Sequence, residues 1–196
     1  TGRATGLVVE SGHGSTQIVP FCDNFIIQKA IEQSNYLSGD GLNQYIQNHL
    51  GRSKIYEFDT ARDFKLFEVI KKKFCEVDPI GSQTQTRRAV NSVFNAYESK
   101  KKSTNIYELP DGTVADMAIL GNITEDCFFN PKMLGSEDKS LPEMIIDAVN
   151  KSDMVSRKEL LKTIMFTGGQ SNVKNIRERL KNELLMLGSE RNMDVY

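Results

Sequence analysis

Cysteine is scarce in this sequence and badly placed for cross-linking. Cys22, Cys75 and Cys127 are odd in number, lie far apart and have no histidine close by at ligand spacing. That argues against a disulfide framework and a zinc site, and it fits a reducing compartment. Net charge is scarce as well. The 25 basic and 26 acidic residues leave −1 at pH 7, which gives no overall pull toward nucleic acid or an acidic membrane. No apolar run nears membrane-spanning length, and no basic, apolar, small-residue leader opens the chain. The expected setting is the cytoplasm, with the nucleus as the alternative and no membrane contact. What is present, 39% hydrophobic and 26% charged residues in 196, is the composition of an ordinary globular protein with a real core, as one large domain or two small subdomains. Core-type strands stand close to both ends, at Leu7 and at Tyr196, so the chain is expected to be a piece of a longer protein.

Leu7 to Val9 is a short β-branched run that drives into Glu10-Ser11-Gly12-His13-Gly14, and Ile18-Val19-Pro20 resumes an apolar strand. The pattern is strand, Gly-rich turn, strand. It supports two readings. One is a plain hairpin whose glycines serve only the turn. The other is a phosphate cradle, with glycines at positive φ presenting successive backbone N–H groups and Glu10 holding a hydrated Mg²⁺ nearby.

Further along, Leu37-Ser38-Gly39-Asp40-Gly41 is a turn before a helix with Leu42, Tyr45, Ile46 and Leu50 on one face. Asp59 or Thr60 is placed to cap a helix from Ala61 to Glu76 that carries Phe64, Phe67, Ile70 or Lys71, and Phe74 along one side. From Asp78 to Asn105 the composition turns polar, with Arg87, Arg88 and Lys100 to Lys102 adding charge. A short element near Ala89 to Ala96 interrupts a loop there, and without interleaved aromatics the basic residues read as solvated rather than as a nucleic-acid contact. Pro110-Asp111-Gly112 is a turn between strands at Ile106 to Leu109 and Thr113 to Ile119. Leu141 to Val149 is helical by spacing, and Ser156 and Glu159 have the spacing of a capping box that opens a short helix. Thr163 to Phe166 is a buried strand running into a second Gly-rich turn, Thr167 to Asn172. A last helix follows, with Val173, Ile176, Leu180, Leu184 and Leu187 inward and Gly188 as its stop. The alternation indicates an α/β architecture, and a second strand-to-helix turn makes a shared ligand site more credible.

Several of these segments resemble actin and the actin-related proteins. The run from Thr1 to Gly14 is similar to that family's second phosphate hairpin, and Ile31 to Leu50 to the helix entry after it. Tyr107-Glu108-Leu109-Pro110-Asp111-Gly112 is the most specific match. Phe129-Asn130-Pro131 to Leu134-Gly135, then Arg157 to Leu160 leading to Thr167-Gly168-Gly169, arrive in family order. The resemblance spans nearly the whole chain, with Asp78 to Asn105 as an unmatched insertion. It implies an actin-like ATPase fold of the ribonuclease H-like kind, of which this chain is the third- and fourth-subdomain lobe. Residues 1–37 and 107–196 make the α/β core, and residues 38–106 make a smaller inserted helical subdomain.

The resemblance also carries an expected site for ATP with Mg²⁺, closed by a second lobe. It places Ser11, Gly12, His13 and Gly14 around phosphate, Gly39, Lys71 and Lys72 near base and ribose, and Gly168, Gly169 and Asn172 beneath the base. Glu10 stands where the family usually has a metal-associated aspartate, and its extra methylene moves the carboxylate by about 1.5 Å. His13 replaces a second aspartate. Gln17 replaces a histidine associated with the hydrolytic water, and an amide can orient water but not act as a base. Lys72 replaces a ribose-binding glutamate, and Asn172 and Val173 replace methionine and tyrosine under adenine. Gly135 to Ser140 aligns with a loop that plugs between strands in actin filaments, and its charged tip is costly to bury.

The expected function is therefore a divergent actin-related protein, a structural or regulatory subunit of a cytoskeletal or nuclear complex. Its ATP site is weak or lost and its ATPase residual at most, with this lobe alone not catalytic. Its partners are actin, other actin-related subunits or further members of a complex. The alternatives are an ATP-hydrolysing, filament-forming actin and a nuclear, chromatin-associated actin-related protein.

Overall fold

Alternation along the first strand sets the sheet. In β1 (Gly6–Ser11), Leu7, Val9 and Ser11 are fully buried and Glu10 is exposed, the period-two pattern of a strand with one face on a core. It pairs antiparallel with β2 (Thr16–Cys22), in the register Glu10 to Gln17 and Ser11 to Thr16. Two short strands, β3 (Phe25–Ile26) and β4 (Glu32–Ser34), add to β2 at its two ends. A computed structural model supplies this architecture, and it describes residues 2–52, 56, 62–79, 106–120 and 123–190.

Helix α1 (Gly39–Arg52) leaves the sheet and α2 (Phe64–Phe74) follows. Next come the hairpin β5 (Ile106–Glu108) and β6 (Val114–Asp116), then α3 (Ile123–Phe129), α4 (Leu141–Lys151) and α5 (Arg157–Lys162). Strand β7 (Ile164–Thr167) returns to the sheet parallel to β1, with Glu10 opposite Thr167. Helix α6 (Ile176–Glu190) completes the described chain. The sheet runs β3-β2-β1-β7 and is mixed, as an α/β reading requires.

The sheet's inner face packs on α4, whose Leu141, Met144, Ile145, Ile146, Ala148 and Val149 are all buried. Buried side chains run without a break from there through Leu42 and Ile46 of α1, Phe67 and Ile70 of α2 and Phe128 of α3, to Ile176 and Leu180 of α6. Each such aliphatic side chain contributes roughly 1.5–3 kcal/mol when removed from water, so one continuous core ties the sheet to the helices. Among the described residues no helix is long and apolar enough to cross a membrane.

Several local expectations need correction. Helix α2 begins at Phe64, with Asp63 at its N-cap. Asp63 is 5% exposed and gives its carboxylate to Arg62 and Tyr56 instead of to the helix end. Ser156 and Glu159 do not form a capping box. Ser156 Oγ donates to the Asp153 carbonyl, and Glu159 pairs with Lys162. The capping box is at Ser140, whose N–H and hydroxyl both reach the Glu143 carboxylate, at 2.8 and 2.7 Å. Strand β6 is only three residues long and passes into a 3-10 turn at Met117–Leu120. Strand β7 pairs on one side among the described residues and is half-exposed, not buried. Helix α6 starts at Ile176, leaving Val173 outside it, and runs through Gly188 to Glu190. Gly188 is no stop, since it lies inside the helix and does not take the left-handed φ of a C-terminal glycine. The proposed Asp59 or Thr60 cap, the element near Ala89 to Ala96, Arg87, Arg88, Lys100 to Lys102 and the final strand at Tyr196 lie outside the described residues.

Candidate functional site

The two Gly-rich turns meet at the end of β1. Gly168 has φ +90°, and a Cβ there would come within 2.2 Å of the Ser11 carbonyl oxygen. The second turn thus rests directly on the first strand, an approach that only glycine allows. Gly12 and Gly14 differ from expectation, since neither adopts the left-handed region. Their lack of a side chain matters for access instead: a Cβ on Gly14 would meet open space.

The hairpin turn is held by one short-range bond, from Gly12 N–H to the Ser15 carbonyl at 2.9 Å. Its carbonyls face the other way. Gly12 O accepts from Gly39 N–H at 3.0 Å and His13 O from Asp40 N–H at 2.8 Å. The first amides of α1, orphaned in any helix, are therefore capped by the hairpin backbone, while Ser38 takes the next ones through Oγ to Gly41 N–H and through its carbonyl to Leu42 N–H. With the hairpin carbonyls committed to α1, the N–H groups of His13 and Gly14 take no backbone acceptor among the described residues.

Gly39 is the centre of the cluster. A Cβ on it would lie 3.1 Å from His13 Cα and 2.8 Å from Gln170 Nε2, and Lys71 Nζ donates to its carbonyl at 3.3 Å. Lys71 is half-buried, and that burial pulls its pKa below the ordinary lysine value, with Cys75, Glu68 and Asp40 acting in the opposite sense. Phe64, the first residue of α2, packs edge-on against the His13 imidazole, with centroids 5.4 Å apart. Such pairs contribute about 0.5–1.5 kcal/mol, enough to hold α2 against the hairpin. Neither Phe64 nor Gln170 stood out in the sequence as a site residue. The helical spacing assigns Phe64 to the core, and Gln170 falls inside the second Gly-rich turn with no role of its own.

The remaining candidates are placed as follows. Ser11 is fully buried and its hydroxyl is shared with Thr16 at 2.6 Å, so only its backbone borders the site. Thr16 in turn donates to the Leu37 carbonyl. Glu10 and Gln17 are register partners between Thr167 and Gln33, forming one polar rung across the outer face of the sheet. Gly169 has open space where its Cβ would be. Lys72 and Asn172 are exposed and take no part in the hydrogen bonds that join these segments. Gly12, His13, Gly14, Gly39, Lys71 and Gly168 are thus brought together, and Lys72 and Asn172 stand outside the cluster.

Around Gly39 lie the hairpin backbone and imidazole of His13, the Lys71 ammonium and the Gln170 amide, with the His13 and Gly14 N–H groups close by in the turn. That set suits an anion such as a phosphate chain. A metal has less to hold it. Among the described residues no group of three or more His, Cys, Asp or Glu side chains is placed for an ion. A divalent cation beside Glu10 would draw most of its ligands from phosphate oxygens and water, which is how Mg²⁺ is commonly bound.

Comparison with known proteins identifies the family. The family model for actin matches residues 1–195. Actin-related protein 4 of Oryza sativa subsp. indica is 29% identical over 225 residues, covering 94% of this chain and 48% of its own length. The protein of the same description from Oryza sativa subsp. japonica is similar to the same extent. The chain spans about half the length of the curated relatives it matches. The mixed sheet, the two apposed glycine turns and a family model that takes in all but the last residue lead to one assignment: the chain belongs to the actin family.

Proposed function

We propose that this chain is one lobe of a divergent actin-related protein, a structural or regulatory subunit that holds ATP weakly and hydrolyses it poorly. The observation that carries this reading is a division within the site. On the phosphate side, support comes from the hairpin carbonyls, which turn away to α1, and from Lys71, which turns onto Gly39. The groups that metal and water chemistry need are altered: Glu10, His13 and Gln17 stand where the resemblance calls for two aspartates and a histidine. Gln17 cannot remove a proton from water. ATP with Mg²⁺ would be held by the N–H groups of His13 and Gly14, by Lys71 and by Glu10 through water, and the bound nucleotide would link this lobe to its partner lobe.

A structural role also draws support from the loop after Gly135. Asp138 accepts from Ser34 Oγ at 2.6 Å, and Lys139 pairs with Asp147 of α4. The charged tip is therefore fastened to its own surface. Inserting it between strands of a filament would break these bonds and bury charge. Actin or actin-related subunits of a shared complex are the partners proposed. The division of the chain is also proposed here: a core built on the β1–β2–β7 sheet, and an inserted helical part holding α1 and α2. The contact of Phe74 with Tyr107 extends that part to the β5–β6 hairpin.

The test is calorimetry of Mg-ATP with the full-length parent, joined to phosphate-release and pelleting assays. Weak binding, slow release and no ATP-dependent pellet are expected. Tight binding with steady turnover and polymer in the pellet overturns the proposal and establishes the filament-forming ATPase.

A further inference from the structure

Gln170 lies in the short 3-10 turn after Gly168 and is 7% exposed. Its backbone carbonyl accepts from Val173 N–H at 3.1 Å, but its side-chain amide makes no hydrogen bond among the described residues. Its amide atoms are not among the buried side-chain atoms left without a partner, so they are open to water or to a ligand. The amide also has a definite direction. It rests on the bare face of Gly39, 2.8 Å from where a Cβ would be, and His13 Cα is 3.1 Å from the same point. Any side chain on Gly39 would drive it away. The amide therefore lies against Gly39, beside His13 of the hairpin and on the residue whose carbonyl Lys71 reaches.

An amide NH₂ at this point adds a neutral donor to the Lys71 ammonium and the hairpin N–H groups, and donors of this kind suit an anion. We propose that Gln170 is a phosphate-positioning residue of the cleft, its NH₂ donating to the phosphate chain of a ribonucleotide beside His13 N–H, Gly14 N–H and the Lys71 ammonium. This rests on the nucleotide reading given above and adds a residue to it. Gln170 carries no charge, so it orients the phosphate without adding to the electrostatic attraction that Lys71 supplies.

The test uses the full-length parent and its Gln170→Met and Gln170→Glu variants, titrated calorimetrically with adenosine, AMP, ADP and ATP. Methionine keeps the length and removes the donor, and glutamate keeps the shape and replaces the donor with a carboxylate. Unfolding midpoints close to the wild type confirm that each variant is folded. The expected result is a loss for ADP and ATP of roughly 10- to 100-fold in Gln170→Met, the size of one lost hydrogen bond to a charged group. Gln170→Glu loses more, and adenosine binding stays within about twofold of wild type. Unchanged ATP affinity in both variants overturns this proposal and leaves the nucleotide site standing. An equal loss for adenosine overturns it too, since the amide then reads the nucleoside. Absence of binding by the wild type to any of the four removes the nucleotide reading and this one together.

Discussion

Lys71 shows how burial tunes a single residue. Its ammonium lies over the Gly39 carbonyl, and burial makes the charge costly, so its pKa falls below the ordinary lysine value against the pull of Cys75, Glu68 and Asp40 and with help from Lys72. A bound phosphate favours the charged form. As pH rises through the lowered pKa, the cation and its hold on phosphate are lost together. Nucleotide affinity of the parent should fall by up to about tenfold per pH unit in that alkaline window. Lys71→Met should bind more weakly at neutral pH and lack the slope. In the same window the unfolded chain binds the extra proton, so unliganded stability rises with pH, and the variant should flatten that rise. Calorimetry and denaturant titration across the window check both. Lys71 was legible in the sequence because the resemblance put it there. Gln170 and Phe64 were not, because each gains its role from a neighbour more than 50 residues away in the sequence, Gly39 for Gln170 and His13 for Phe64.

Among the elements, those whose signal lies within a few residues of themselves were read correctly, and those completed by distant partners were not. The β1–β2 hairpin and the Pro110-Asp111-Gly112 turn followed from alternation and turn chemistry, with Leu109 N–H bonding the Thr113 carbonyl at 2.8 Å. The start of α1 did not, since its cap is the backbone of a hairpin 27 residues earlier, Gly12 for Gly39 and His13 for Asp40. The capping box was misplaced because two Ser-x-x-Glu patterns exist and local spacing cannot choose between them. At Ser156 the φ and ψ of −83° and −18° are already helical, so its hydroxyl turns back to Asp153 and the reciprocal bond is lost. At Ser140 the backbone is extended, at −64° and 157°, and Pro142 follows within the first turn, the geometry a cap requires. Ser140→Ala should therefore destabilise the protein by about 1 kcal/mol, and Ser156→Ala by only a few tenths. Urea unfolding of the two variants separates the sites, and equal losses count against this assignment.

The whole molecule depends on how α2, which carries Lys71 and Phe64, is fixed to the sheet-bearing part. The segment after α2 is fastened along the start of α6. Val77 N–H bonds the Lys174 carbonyl at 3.1 Å, Asn175 Nδ2 the Val77 carbonyl at 3.1 Å, and Asn182 Nδ2 the Pro79 carbonyl at 2.8 Å. Arg179 holds the centre of this strap. Only 2% exposed, it donates to Glu183 at 2.7 Å and to the Asp78 carbonyl at 3.0 Å, with its guanidinium 4.9 Å from the Phe129 ring centroid. A buried cation so arranged joins α6, α3 and the exit of α2, and the second glycine turn lies just ahead of α6. The strap thereby ties the exit of α2, which carries Lys71, to the helix that follows the second glycine turn. Removing one partner of a buried pair leaves the other charge unpaired, at a cost of about 3–5 kcal/mol, whereas replacing both by apolar residues is often close to neutral. Arg179→Met should lower stability by that amount and weaken nucleotide binding, although Arg179 is not among the donors gathered at Gly39. Adding Glu183→Met should restore much of the stability. It should not restore the binding, because the bond to the Asp78 carbonyl that fixes the exit of α2 stays broken. Denaturant unfolding and nucleotide calorimetry on the single and double variants measure the two effects separately. Recovery of both together would make Arg179 a local core contact and free α2 from the strap.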